Sequence, residues 1–242
     1  MSSKTILITG ATSGIGAALF ETYSKKNHKV IACGRNAKQL DTIQDKAYKT
    51  CLFDMTQQEE IKAKTESIEK LDILILNAGN CRYIDNAKQF DGDLFADVIM
   101  TNLTSLGWLL QSLLPKVKKG GQVVFVSSSA TILPFPRSEA YGASKAGMDY
   151  LAKSLRLDLA IDDISVTLVH PGFIKTPLTD KNDFSMPFIK SPEFAAEKMF
   201  NGLTKSKAFE IHFPRALTIL LKIFRVLPYK IYLFLIDKGV KR

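Results

Sequence analysis

The stretch KTILITGATSGIG, residues 4–16, carries the strongest indication of the fold. A short apolar run rich in β-branched residues leads directly into a glycine-rich turn, and a helical stretch follows from Ala17 to Lys26. Gly10 permits a tight turn, Gly14 leaves room for a pyrophosphate against the backbone, and Gly16 lets helix and strand pack closely. Because free N–H groups at a helix N-terminus bind anions, this junction predicts a nucleotide phosphate site. The spacing is G-x-x-x-G-x-G, so an ordinary turn is the alternative.

Runs of this strand type alternate with helical stretches along the whole chain. The predicted strands lie near residues 4–9, 28–33, 50–53, 71–76, 121–127, 164–169 and 208–213. This order predicts an α/β fold: a Rossmann-type, doubly wound parallel sheet of about seven strands with helices on both faces, in three αβα layers. We expect residues 1–213 to form the cofactor-binding and catalytic domain, and residues 214–242 to be a helical extension of it.

A second motif consists of Tyr141 and Lys145, which are four residues apart and therefore share one face of a helix. A phenol has an ordinary pKa of about 10. An ammonium one helical turn away favours the phenolate, so we expect Lys145 to lower the pKa of Tyr141. Ser128 precedes Tyr141 by thirteen residues and could hold a carbonyl oxygen beside the phenol. The group predicts acid/base chemistry between carbonyls and alcohols, although a Tyr–Lys pair alone is usually a solvated pair on a helix.

Together with other motifs, these residues resemble the short-chain dehydrogenase/reductase family. The motifs are T-G-x-x-x-G-x-G at 9–16, Asn77-Ala78-Gly79, Asn102, Ser128, Tyr141-x-x-x-Lys145 and Pro171-Gly172-x-x-x-Thr176. The resemblance covers roughly residues 4–180. It implies that Ser128, Tyr141 and Lys145 are catalytic. It also implies that Asn102 supports a proton-relaying water, and that Thr176 hydrogen-bonds the carboxamide of a nicotinamide.

The resemblance also implies a nicotinamide cofactor and a set of contacts to it. The expected contacts are Gly10, Thr12, Ser13, Gly14, Ile15, Gly16, Arg35, Asp54, Asn77, Ala78, Gly79, Tyr141, Lys145, Pro171, Gly172, Ile174 and Thr176. Where the family usually has two asparagines before Ala-Gly, this chain has Leu76-Asn77, which is a mild departure.

The end of the second strand indicates which nicotinamide cofactor is used. An NAD site expects an acidic side chain there, bonded to the ribose hydroxyls. This chain instead has Gly34, which offers room, and Arg35, whose planar cation suits a phosphate. We therefore expect NADP(H), with a solvated Arg35 as the alternative. Asp54 resembles the family's aspartate that contacts the adenine amino group.

The composition indicates which cellular compartment and which classes of partner to expect. The net charge is +9, but the lysines are dispersed and no nucleic-acid recognition motif appears, so we expect no nucleic-acid partner. The three cysteines and three histidines have no metal-ligand spacing, so no metal is expected and His28, His170 and His212 are treated as structural. A first strand at residue 4 leaves no room for a signal peptide. We expect a cytoplasmic protein, with contact to the inner face of a membrane as an open alternative.

The C-terminal segment is apolar and basic. Leu217, Leu220, Leu221, Phe224 and Leu227 recur at helical spacing, and Arg215, Thr218, Lys222 and Arg225 occupy the other side. Pro228 interrupts the pattern, and residues 229–236 form a second apolar stretch. The charges at 222, 225 and 230 argue against a membrane-spanning helix. Residues 215–242 are therefore expected either to pack on the domain or a partner as a substrate lid, or to lie on an anionic membrane surface.

These features predict an NADP(H)-dependent oxidoreductase that reduces a carbonyl. Phe184, Met186 and Phe188, within the expected substrate loop 178–192, favour a hydrophobic or lipid-like substrate. A non-catalytic NADP(H)-binding sensor or scaffold is the alternative. A sugar-nucleotide epimerase fits poorly, because little chain remains after residue 180. By resemblance, helices near 94–114 and 141–160 are expected to form a homodimer or homotetramer, with apolar residues Met148, Leu151, Leu155 and Leu159 on the second.

Overall fold

The structure, a computed structural model, describes residues 2–205 and 208–239. Within them, seven strands form one parallel sheet in the order β3-β2-β1-β4-β5-β6-β7. The strands are β1 (Thr5–Thr9), β2 (Lys29–Gly34), β3 (Lys49–Leu52), β4 (Leu71–Leu76), β5 (Val117–Val126), β6 (Ser165–Pro171) and β7 (Glu210–Phe213). The order reverses between β1 and β4, which makes the gap above them the switch point where α/β proteins bind ligands.

Helices cover both faces of the sheet. They are α1 (Gly14–Ser24), α2 (Ala37–Ile43), α3 (Gln58–Thr65), α4 (Gly92–Ile99), α5 (Ser105–Leu113), α6 (Glu139–Asp158), α7 (Pro192–Lys205), α8 (Arg215–Arg225) and α9 (Tyr229–Gly239). In β1, Ile6 and Ile8 join a buried cluster that includes residues of α1 and α7. Leu7 joins a cluster on the opposite face with residues of α3, α5 and α6. Because neighbouring strand residues face opposite sides, the sheet has two apolar cores. The predicted three-layer, doubly wound fold is confirmed.

The turn between β1 and α1 depends on glycine. Gly10 and Gly14 have φ values of +66° and +52°, a region that other residues rarely adopt. A Cβ at Gly16 would lie 2.0 Å from the carbonyl oxygen of Gly10. Helix α1 therefore begins at Gly14 rather than at the predicted Ala17. Gly14 and Gly16 lie in the first turn of α1, next to the carboxyl end of β1.

The predicted long helix over 94–114 is divided. Helix α4 is followed by a π-helical segment, Met100–Thr104, and then by α5. A π-helix contains one more residue per turn and is often found at functional sites. Here it contains Asn102, whose side chain is fully buried. The interruption therefore directs a polar side chain inward from an otherwise apolar helix.

The C-terminal helices differ in detail from the predicted amphipathic pattern. Leu217 and Leu221 are buried against Ile132 and Leu133, but Leu220 is exposed. The predicted polar side is also wrong at Thr218, which is fully buried. Its hydroxyl is hydrogen-bonded to the Pro214 carbonyl and to His212, and these bonds offset the cost of burying a polar group.

No helix among the described residues has both the length and the apolar character needed to cross a bilayer. Residues 1 and 206–207 of the predicted domain 1–213, and residues 240–242 of the predicted extension 214–242, lie outside the described residues.

Candidate active site

A cleft of about 440 Å³ opens at the carboxyl ends of β1, β4, β5 and β6. The predicted residues that line it are Gly10, Thr12, Ser13, Gly14, Ile15, Arg35, Asp54, Asn77, Ala78, Gly79, Ser128, Tyr141, Lys145, Pro171, Gly172, Ile174 and Thr176. Gly16 and Asn102 are not part of this lining and lie behind it, against Gly10 and Asn80 respectively. The structure thus brings the predicted catalytic and nucleotide-binding residues to one place, at the switch point of the sheet.

Two tight contacts form the glycine-rich side of the cleft. A Cβ at Gly14 would lie 2.9 Å from Cγ2 of Thr176, and a Cβ at Gly34 would lie 3.0 Å from Cγ2 of Thr12. Larger residues at these positions would displace the cleft wall. The small residues and the N–H groups at the start of α1 fit an anionic dinucleotide laid against the backbone.

Asn77 ties β4 to β1 beside this turn. Its backbone N–H donates to Oγ1 of Thr9 at 2.9 Å, and its side-chain Nδ2 donates to the Thr9 carbonyl at 2.9 Å. Ala78 also donates its N–H to Oγ1 of Thr9, at 3.0 Å. The predicted Asn77-Ala78-Gly79 element therefore holds the two central strands together where the sheet order reverses.

Arg35 lies at the outer end of the cleft. Its side chain is 77% exposed, and its Nη1 is 3.8 Å from Oδ2 of Asp54. Partial burial opposes ionisation of Asp54, but hydrogen bonds from Thr56 and the Arg35 charge outweigh it and lower the Asp54 pKa. An exposed ion pair of this length is weak. The Arg35 guanidinium therefore remains accessible at the position predicted to meet a phosphate.

Lys145 is the buried cation of the site. Its side chain is on α6 and the residue is only 4% exposed. Its Nζ donates a hydrogen bond to the Val126 carbonyl, at the end of β5, at 2.9 Å. Burial lowers the pKa of Lys145 to about 8, although the charges of Cys81 and Asp149 act in the opposite direction. The ammonium is thus held at a fixed point but can lose its proton more readily than an exposed lysine.

The pKa of Tyr141 moves in the direction opposite to the one predicted. Burial raises it above its ordinary value, the nearby Cys81 raises it further, and a hydrogen bond with Ser128 lowers it by less. The Lys145 Nζ is 5.9 Å from the centre of the Tyr141 ring and is directed at a carbonyl. Desolvation is therefore the dominant influence on the Tyr141 pKa, and it keeps the phenol protonated at neutral pH.

Asn102 fastens the π-helical segment to the start of α6. Its Nδ2 donates to the Asn80 carbonyl at 2.9 Å and to Oγ of Ser144 at 3.0 Å, and its Oδ1 accepts from the Asn80 N–H at 2.8 Å. Ser144 in turn donates to the carbonyl of Tyr141 at 2.7 Å. Asn102 therefore positions the helix that carries Tyr141 and Lys145. Its role in a proton relay stays a prediction.

Aromatic residues that the sequence analysis did not assign lie on the substrate side. Tyr83 packs edge-on against Phe184 of the predicted substrate loop, with ring centres 5.6 Å apart, and Phe184 contacts Phe173 at 6.1 Å. Burial, Cys81 and Tyr141 together raise the pKa of Tyr83. The only sequence signal for Tyr83 is its position shortly after Asn77-Ala78-Gly79. Since Tyr141 influences the Tyr83 pKa, this aromatic group adjoins the candidate active site.

Sequence reasoning also missed Asp149 and treated His170 as structural. Asp149 follows Lys145 by four residues, so it lies one turn further along α6. It is buried, and its Oδ2 is 2.9 Å from Nε2 of His170. The spacing from Lys145 was the available signal for Asp149. The chain offers no local pattern that pairs it with His170.

Comparison with known proteins adds a family and relatives. A family model described as short chain dehydrogenase matches residues 4–185. An uncharacterized oxidoreductase of Myxococcus xanthus is 34% identical over 244 residues, covering 96% of this chain and 96% of the relative. A 3-oxoacyl-[acyl-carrier-protein] reductase of Rickettsia typhi is 37% identical over 184 residues, covering 74% of this chain and 76% of the relative.

Solved structures share the fold. A short-chain dehydrogenase from Streptomyces avermitilis has a TM-score of 0.82 at 24% identity, covering 99% of this chain and 97% of that one. A closed form of serine dehydrogenase complexed with NADP+ has a TM-score of 0.77 at 24% identity, covering 86% of this chain and 94% of that one. At these identities the similarity supports the fold alone.

Proposed function

The chain belongs to the short-chain dehydrogenase family, and on that premise we propose that it is an NADP(H)-dependent reductase of a hydrophobic carbonyl compound. One observation carries the proposal: Ser128, Tyr141 and Lys145 line the same cleft as the glycine turn at the start of α1. A protein that only binds a nucleotide needs none of their proton chemistry. Residues 1–213 would form the catalytic domain and residues 214–242 its extension.

The chain's own groups fit the roles of acid, orienting donor and charge partner. A nicotinamide cofactor supplies the hydride when bound. Tyr141 keeps its proton at neutral pH because burial raises its pKa, so it can donate that proton to a carbonyl oxygen. Ser128 can donate a hydrogen bond to the same oxygen, and the Lys145 ammonium stabilises the phenolate that remains. Asn102 holds the helix that carries both Tyr141 and Lys145.

An apolar substrate is favoured by the rings beside Tyr141. The Phe184 ring contacts Tyr83 and also contacts Phe173. Phe173 also packs against the apolar cluster that contains Leu217 and Leu221 of α8. The proposed substrate is therefore an acyl or other lipid-like carbonyl compound. The Rickettsia typhi relative, named as a reductase of 3-oxoacyl groups on a carrier protein, is consistent with this class.

Replacing Tyr141 by Phe removes the proton donor and little volume, so kcat/KM should fall by roughly 10²- to 10⁴-fold while NADPH affinity changes little. Turnover is followed by NADPH absorbance with a panel of aliphatic ketones, aldehydes and 3-oxoacyl thioesters. Tyr150→Phe is the matched control, because Tyr150 is an exposed tyrosine on the same helix, α6. Equal turnover in wild type and Tyr141→Phe would refute the assignment. Tight NADPH binding with no reduction across the panel would favour the sensor or scaffold alternative.

NADP(H) is preferred over NAD(H) in this proposal because of the end of β2. Gly34 and Arg35 stand where an NAD site has a carboxylate, and the Arg35 side chain is accessible at the cleft. The fold neighbour serine dehydrogenase was solved with NADP+. A 2′-phosphate would either replace Asp54 as the partner of Arg35 or bind Arg35 together with Asp54.

Arg35→Ala should weaken NADPH binding about tenfold or more, which corresponds to about 1.4 kcal/mol, and leave NADH affinity nearly unchanged. Fluorescence or calorimetric titration with each nucleotide measures the two affinities. Lys46→Ala is the control, since Lys46 is another exposed cation with a surface acidic partner, Glu21. If both nucleotides weaken equally in Arg35→Ala, then Arg35 does not recognise the 2′-phosphate.

The C-terminal helices are proposed to rest on the domain and to meet an anionic membrane surface. Their inner side packs through Leu217, Leu221 and Tyr232. Their outer side exposes large apolar residues: Ile219, Leu220, Ile223, Val226, Tyr229, Ile231, Leu233, Phe234 and Leu235. Exposed Arg215, Arg225 and Lys230 border this side. An apolar face flanked by cations matches the interfacial region of an anionic bilayer.

The full chain should sediment with vesicles containing an anionic phospholipid at low salt and be released only in part at high salt, because salt screens the cations but not the apolar insertion. Arg225→Glu with Lys230→Glu should strongly reduce sedimentation at low salt. Lys62→Glu with Lys119→Glu makes the same charge change at exposed positions outside the C-terminal helices and should not. Absence of binding by the wild type at low salt would refute membrane contact.

A homodimer or homotetramer is also proposed, with contact through the helices near 94–114 and 141–160. Of the apolar residues noted on the second helix, Met148 is buried in the chain's own core, and Leu151, Leu155 and Leu159 pack partly buried against it. The large apolar side chains that α6 and the segment after it leave exposed are Tyr150, at 77%, Leu157, at 78%, and Ile161, at 87%. Light scattering at micromolar concentration should give at least twice the chain mass of 26.9 kDa, and Leu157→Glu should lower it. A monomer mass for the wild type would contradict the proposal.

A further inference from the structure

Charged side chains form a continuous network from α6 across β6 and β7 to α8. Oδ2 of Asp149 is 2.9 Å from Nε2 of His170, and Nδ1 of His170 is 2.8 Å from Oε1 of Glu210. Lys222 donates from Nζ to Oε2 of Glu210 at 2.6 Å. Asp149 and His170 are buried. This network links the tail helix α8 to the catalytic helix α6 through hydrogen bonds.

The two flanking carboxylates favour the doubly protonated form of the imidazole at the centre of this network. A neutral imidazole donates from one nitrogen only, whereas ionised carboxylates only accept. Both nitrogens of His170 face carboxylates, Asp149 on one side and Glu210 on the other. Burial lowers the pKa of His170, but the two carboxylates outweigh it and raise the pKa above its ordinary value.

The network meets the candidate active site at the end of β5. Ser127 donates from its Oγ to Oδ1 of Asp149, and Lys145 donates to the carbonyl of Val126. Lys145 and Asp149 are one turn apart on α6. Val126, the last residue of β5, and Ser127, which follows it, are thus both hydrogen-bonded to α6 just before Ser128. The Asp149 charge also opposes the effect of burial on the Lys145 pKa.

We propose that Asp149 is a positioning residue for the reaction, held in place by His170, and that Glu210 and Lys222 tie the docking of α8 to it. The inference rests on the proposed function, because it concerns the placement of Ser128 and the charge on Lys145. Asp149 touches neither substrate nor cofactor in this scheme. It acts through Ser127 and Lys145.

The titratable and charged groups near His170 and Lys145 determine how the pKa values of these two residues respond to a substitution. Around His170 they are Asp149 of α6, Glu210 and His212 of β7, and Lys222 of α8. Around Lys145 they are Cys81, Tyr141 and Asp149. Asp149 is the residue common to both groups, so its replacement should change both.

Asp149→Asn keeps the size of the side chain and an acceptor for Ser127 but removes the charge. We expect kcat to fall about tenfold or more, as for a displaced catalytic group, with NADPH affinity changed by less than about threefold. The alkaline limb of the kcat profile should move to lower pH, because Lys145 loses a stabilising anion. Asp45→Asn, at an exposed position, is the control. A lower kcat with an unmoved alkaline limb would show a merely structural role and overturn the proposal.

A double-mutant cycle tests the coupling to α8. If Lys222 acts through the network, Lys222→Met should lower kcat, and adding it to Asp149→Asn should lower kcat by less than about twofold more. Lys119→Met removes the same charge from an exposed strand residue and should leave kcat unchanged. Effects of Lys222→Met and Asp149→Asn that multiply independently would overturn the link between α8 and the site.

Nitrogen NMR of His170 gives a readout that does not need turnover. In the wild type both ring nitrogens should be protonated at neutral pH, and in Asp149→Asn the titration should move to lower pH. A wild type that reduces substrate but has a neutral His170 overturns this inference alone. A wild type with a doubly protonated His170 that reduces nothing overturns the proposed function.

Discussion

The close packing of α1 on β1 is the constraint on which the rest of the structure depends. A Cβ at Gly16 would lie 2.0 Å from the Gly10 carbonyl oxygen, so the helix can approach the strand only because that position is glycine. The approach places the first N–H groups of α1 beside the point where the sheet order reverses. Asn77 then secures β4 to β1 at the same level. The strand ends brought to this point, together with Tyr141 and Lys145 of α6, line the cleft.

Local patterns predicted the sheet and the glycine turn, and together with the family resemblance they predicted the group of Ser128, Tyr141 and Lys145. They failed where a property depends on burial or on a change of helix type. The apolar periodicity of residues 94–114 continues through the π-helical segment, so nothing in it marks the extra residue at Met100–Thr104. The spacing of Tyr141 and Lys145 reveals that they are neighbours, but not that desolvation controls the pKa of both.

Long-range charge pairs also could not be predicted from the sequence. His170 is 21 residues from Asp149 and 40 from Glu210, and Lys222 is 12 residues from Glu210. Each pair joins different elements, and no periodicity relates residues in different elements. A buried carboxylate without a partner is costly, so Asp149, a buried aspartate one turn after Lys145, requires a donor or a cation. The fold alone identifies that cation as His170.

The cations of the C-terminal helices fall into two groups: one is bonded to the domain and the others are exposed to solvent. The hydrogen bond from His170, and to a lesser degree Lys222, lowers the pKa of Glu210 to about 2, although partial burial opposes this. Glu210 therefore stays ionised throughout the physiological range and keeps Lys222 on the domain. Arg215, Arg225 and Lys230 are exposed and remain available to an anionic surface. The cations that anchor α8 thus differ from those that the proposed membrane contact would use, so such contact would leave the bond to the network that reaches Asp149 intact.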